Sequence, residues 1–258
     1  PNHHPSMMEV NMNKFSFQNL RVYNDLTRFI ASSEEIVSDW NKAHAIADHL
    51  YRSSEGAVVC LAEACRQQRL PAKQQAADHC AGSILECAAC FDLARIKALC
   101  SDTEVAAMKN QLGSVFRQLI TLRSSWEKLE FREEESEYEV THVFNHERLE
   151  VYQLALKVNE KLGAMQIFER LSRGDFRHLD EPATSLLLNI AEGNGRFAHH
   201  DHSRFLDIAS QATTKLAARL EVGALRKIIE QVLVDEISEL LVSIDRMTTK
   251  LAEFWRNK

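Results

Sequence analysis

The sequence predicts an all-α fold, two tandem antiparallel up-down four-helix bundles, on three observations. Gly (8) and Pro (4) are scarce in 258 residues while Ala, Leu, Glu and Arg recur, which suits long helices rather than short strands with turns. The chain repeats itself at an ungapped offset of 129 residues. Each copy then parses into four amphipathic segments with short connections, the pattern of antiparallel neighbours in a bundle.

Residues 1–16, opening PNHHPSMM, are expected to be a disordered or tag-derived start. The offset pairs Leu20, Val22 and Tyr23 with Leu149, Val151 and Tyr152, and Ala62-Glu63 with Ala191-Glu192. It pairs Arg117 with Arg246 and Leu122 with Leu251, and it closes each half with Trp126 and Trp255. One offset serving start, middle and end marks a duplicated unit. The first bundle is placed at 17–129, a connector at 130–145 and the second bundle at 146–258.

The second copy shows the helices most plainly. RLEVYQLALKVNEKLGAMQIFERL has helical apolar spacing and is expected to stop at Ser172 to Asp175. The next helix contains ATSLLLNIAE, with Pro182 expected in its first turn, where a missing N–H does little harm. Gly193 is expected to cap that helix in the left-handed conformation, with Asn194-Gly195 as the turn. Asn189, inside the apolar run, is expected to bond across the bundle or to nearby backbone. A third helix starts around Asp201-His202-Ser203, and the fourth is VDEISELLVSIDRMTTKLAEFW.

Net charge is −6, and residues 130–147 alone hold seven Glu and one Arg. The rest of the chain is therefore balanced, which argues against a globally basic, nucleic-acid-binding surface. No apolar run approaches the roughly 20 residues needed to cross a bilayer, so no membrane partner is expected. Six cysteines between 60 and 100, several in Ala/Leu-rich helical pattern, suit reduced thiols and a cytoplasmic protein.

The motif Leu-x-Val-Tyr, a run ending Asn-Ile-Ala-Glu-Gly-x-Gly-Arg, then Phe-Leu-x-Ile-Ala, resembles the bacterial four-helix-bundle proteins of the 23S rRNA intervening-sequence type. It is similar, too, to the accessory proteins of diversity-generating retroelements. The second copy carries most of it, on Tyr152, Asn189, Glu192, Gly193, Gly195 and Arg196. The first keeps Tyr23, Glu63, Ala81-Gly82-Ser83 and Glu86 but has Cys60 and Ala64 where the signature has Asn and Gly. The resemblance implies a small bundle, no catalytic activity and ring-like homo-oligomers. For the retroelement relatives it implies contact with a reverse transcriptase and its RNA through basic surface. Two features depart from it: the fused pair of copies, and the absence of a strongly basic charge.

The run Arg196, His199, His200, His202, Arg204 is the candidate partner-binding or phosphate-contacting patch, since Arg and protonated His suit anionic oxygens. A solvated polar turn is the plainer reading of the same run. AHHDHS offers metal-ligand types, but adjacent ligands on one loop rarely close a site, and no metal is assigned. Cys87-Ala-Ala-Cys90 falls mid-helix, where thiols one turn apart fill core space. A di-metal bundle needs two inward Glu-x-x-His motifs, and the one here, Glu139 to His142, lies in the connector. Glu63 and Glu192 close equivalent helices against the helix dipole, so each is expected to have an Arg partner, Arg196 or Arg204 among them. No catalytic residue and no cofactor is expected. The expected role is a non-enzymatic assembly or adaptor protein, oligomeric through protein–protein contacts, with an RNA-binding accessory protein as the alternative.

Overall fold

The computed structural model describes residues 15–40, 44–130, 144–164, 173–196 and 198–258. Most of the acidic connector, with Glu139 and His142, lies outside the described residues, as do residues 1–14. Every regular element described is helical: α1 (Arg21–Val37), α2 (Ile46–Arg66), α3 (Leu70–Ile96), α4 (Asp102–Glu130), α5 (Glu150–Ala164), α6 (Arg173–Asn194), α7 (His199–Leu225) and α8 (Gln231–Arg256).

The duplication is visible in the element starts. The 3-10 turns Ser16–Asn19 and Asn145–Arg148 begin 129 residues apart, as do α1 and α5, α3 and α7, and α4 and α8. Even the helix stops repeat. Ala98 and Lys227, again 129 apart, take left-handed backbone at φ 53° and 57°. The next N–H reaches back five residues in both cases, Leu99 to the Ala94 carbonyl at 2.8 Å and Ile228 to that of Gly223 at 2.9 Å. That closure satisfies carbonyls at the helix end without a glycine at the left-handed position.

Within each set the helices pack in a cycle, each against the next and the fourth against the first. This fits a pair of up-down bundles. The two sets share one continuous apolar core, because α3 also packs on α5 and α6. α3 and α6 cross antiparallel: Lys97 at the end of α3 pairs with Asp180 early in α6, while Gly82 within α3 meets Gly195 just beyond α6. Helix α3 is consequently buried on nearly all sides from Ala76 to Ala94.

Three local expectations are corrected. Arg173, Gly174 and Asp175 open α6 rather than follow a stop, and α5 is described only to Ala164. Pro182 therefore lies inside α6, not in its first turn. A proline there leaves the carbonyl four residues back without its N–H. That carbonyl belongs to His178, and the Arg219 guanidinium of α7 donates to it. Gly193 is not a left-handed cap, since no described glycine has positive φ. It is small for a packing reason: an added Cβ would lie 3.0 Å from the Phe205 Cβ.

Candidate functional site

The chemistry-bearing residues gather along the joint between the bundles. At one end, α3 and the loop after α6 touch through glycines. A Cβ on Gly195 would lie 2.8 Å from the Gly82 Cα, and one on Gly82 would lie 2.7 Å from the Arg196 Nε. Arg196 is only 8% exposed, pairs with Glu192 one turn back, and lays its guanidinium 4.8 Å over the Phe205 ring. Burial, then the neighbouring Glu86 carboxylate, push Glu192 up to about 7 against the pull of Arg196. Glu86 is itself held at 3.1 Å by His49 Nδ1 of α2.

In the middle of the joint, Tyr152 of α5 is fully buried and donates to Asp92 of α3 at 2.8 Å. Lys109 of α4 lies 2.6 Å from Asp92 and 2.5 Å from Glu147. His146 packs edge-on to Tyr152 with ring centroids 4.8 Å apart, and burial followed by Lys109 depresses its pKa to about 3. Asp92, His146 and Glu147 have ligand atoms close enough to hold a cation. The Lys109 ammonium already lies between the two carboxylates, so the cluster carries its own counter-charge. At the far end, Asp180 accepts from Lys97 and from the Ala45 N–H at 3.0 Å. Burial works against its charge, but His44, Lys97 and that N–H outweigh it and hold the carboxyl down at about 2.

The sequence-derived residues separate in space. Arg196 and Glu192 form the expected pair, but inside the joint rather than on an open patch. His200 and Arg204 are exposed, and His202 stacks on Trp255 at 4.3 Å. His199 begins α7. Asn189 bonds back along its own helix to the Ser185 carbonyl at 2.7 Å. The bond across the bundle is made instead by Asn159 of α5, to the Ala183 carbonyl at 3.1 Å. Tyr23 is half-buried and Glu63 is exposed. Cys87 and Cys90 are fully buried thiols whose ionisation burial pushes well up, as expected of space-filling residues.

Sequence reasoning missed Asp92, Lys97, Asp180 and His146. A carboxylate and a lysine inside helical patterns give no signal until the facing bundle is known. Also missed was an apolar groove of about 500 Å³ at the far end of α7, lined by Leu179, Arg219, Val222, Gly223 and Ile229. Among the described residues, no helix is long and apolar enough to cross a membrane. In comparisons with known proteins, no family model, no curated protein and no solved structure matches this chain.

Proposed function

We propose that this chain is a non-enzymatic assembly module of the cytoplasm that acts as an oligomer through protein–protein contacts of its helix faces. The observation that carries the reading is the apolar surface around the α7–α8 turn. Leu225 is 83% exposed and Val232 68%, on the two helices that flank this turn, and Val222 and Ile228, also exposed, line the groove. Large apolar side chains left exposed around a single turn are candidates for an interaction site. The buried charges of the joint support the same reading, because Glu192, Asp180 and Asp92 each have an internal cationic partner, and Lys97–Asp180, Lys109–Glu147 and the Tyr152–Asp92 hydrogen bond cross between the bundles. For the alternative, an RNA-binding accessory protein, His200 and Arg204 are the exposed members of the patch among the described side chains, with Arg196 turned inward.

The test is a photo-crosslinking residue placed at Leu225 in the expressed protein, with exposed Glu239 on α8 as control. Protein adducts of defined mass at 225 and not at 239 are expected. RNA adducts, or the same background at both positions, would overturn the reading.

A further inference from the structure

The joint inside the chain is made of two unlike faces. The first bundle gives a face of α3, and the second gives a face of α5 and α6. Each bundle, being a copy of the other, owns one face of each kind, and the joint uses only one of each. The α3-type face of the second bundle lies on α7. There Gln211, Ala218, Val222 and Leu225 stand 129 residues after Gly82, Ala89, Leu93 and Ile96. The four on α7 are exposed; of the four on α3, three are buried and Ile96 is half-buried. The α6-type face of the first bundle lies on α2. There Tyr51, Val59 and Arg66 are exposed where Asp180, Leu188 and Gly195 are buried.

We propose that the open α7 face of one chain receives the open α1–α2 face of a second copy, head to tail, in the arrangement of the internal joint. This rests on the assembly reading above and names its partner.

The residue pairs that such a contact would bring together are complementary. Glu86 and Glu192, two carboxylates in the internal joint, become Lys215 and Glu63, both exposed and of opposite charge. The Tyr152–Asp92 hydrogen bond becomes Tyr23 and Glu221, again a phenol facing a carboxylate. The Asp180–Lys97 pair becomes Tyr51 and Arg226, an aromatic ring facing a cation. Val222 and Leu225 would bury their apolar surface against Tyr51 and Val59. One pair changes the spacing: Gly82 and Gly195 become Gln211 and Arg66, so the backbones cannot approach as closely as inside the chain. The contact between chains is therefore looser than the joint within one and is reversible. Unlike faces propagate, closing as a ring or running on as a filament according to the rotation per chain.

Sedimentation velocity on the purified full chain over a concentration series tests this, alongside Lys215→Glu, Glu63→Lys and the two combined. Wild type is expected to run above the mass of one 29.4 kDa chain. Each single reversal, at an exposed position that leaves the fold intact by circular dichroism, should weaken association by about tenfold. The combined variant should recover it, because every contact then has both signs exchanged. A wild type that stays at one chain's mass at about 100 μM, well above a micromolar Kd, would overturn the proposal. So would self-association untouched by either reversal. If purified chains stay single while position 225 crosslinks to a different protein, the assembly reading survives and the second-copy partner does not.

Discussion

Gly195 and Gly82 meet backbone to backbone where the two bundles join: a Cβ on Gly195 would lie 2.8 Å from the Gly82 Cα and 3.0 Å from its nitrogen. Both obstacles are main chain, so neither can swing away. Gly195→Ala should destabilise the protein by about 1–3 kcal/mol, the usual cost of overpacking. Gly82→Ala differs in kind. Its new methyl would press on the Arg196 guanidinium, yet alanine inside α3 would return about 1 kcal/mol of helix propensity. Urea unfolding should rank Gly195→Ala as the more damaging. Equal or reversed effects would mean the bundles do not touch through these glycines.

Arg196 decides how the polar turn can be probed. Its Nε and Nη1 are buried without a hydrogen-bond partner among the described residues, while its third nitrogen holds Glu192. Arg196→Glu would set a third carboxylate beside Glu192 and Glu86. It should destabilise by about 3–5 kcal/mol, as breaking a buried ion pair does. Arg204→Glu, on an exposed side chain, should stay within about 0.5 kcal/mol. Any RNA assay must therefore use Arg204 and His200 and leave Arg196 alone. The assembly reading expects no RNA anisotropy change at low salt. Binding that falls steeply with salt and is lost in an Arg204→Glu/His200→Glu protein would favour the RNA alternative.

These two sites show what could be read from sequence and what could not. The repeat was legible because apolar spacing and paired residues such as Tyr23 with Tyr152 survive duplication, and the 129-residue register reappears in the element starts. The Glu192–Arg196 pair was legible because a carboxylate at a helix C-terminus calls for a cation. Its burial was not, because burial depends on α3 of the other bundle, and no pattern within residues 186–197 encodes which face of which copy will cover it. Gly193 and Gly195 looked like turn chemistry for the same reason. Close approach and left-handed backbone both select glycine, and only the fold distinguishes them.

Pro182 inside α6 is tolerated through a specific substitute. The His178 carbonyl, left without its helical N–H, accepts from Arg219 of α7. The two residues should be coupled energetically. Arg219→Met should destabilise by about 0.5–1 kcal/mol, because the carbonyl is exposed and water takes over part of the lost bond. In a Pro182→Ala background, where the helix supplies its own donor, the same change should do much less. Additive effects in a double-mutant cycle by urea unfolding would remove Arg219 from this role.

His146 and Glu192 give stability opposite dependences on pH. Burial, then Lys109, lower His146 from 6.5 to about 3. Between those values the unfolded chain binds the proton that the folded one refuses, so this contribution is complete above pH 6.5 and drains away as pH falls toward 3. A shift that large corresponds to an upper bound of about 4–5 kcal/mol. Glu192 moves from 4.5 up to about 7, so the folded chain holds the extra proton. Its contribution is complete below pH 4.5 and is lost as pH rises through 7. His146→Phe removes the first effect and leaves the second. The substitution is sterically reasonable, because Phe17 holds the equivalent position in the first bundle and packs edge-on to Tyr23 with centroids 5.2 Å apart. Relative to wild type, the variant should therefore gain progressively from pH 6.5 down to pH 4, and its own stability should no longer fall between pH 6.5 and about pH 5, below which the contribution of the depressed Asp180 begins to drain away. Urea midpoints at pH 4.5, 5.5 and 7 measure this. A difference between the two proteins that does not change with pH would mean that His146 is not held neutral in the fold.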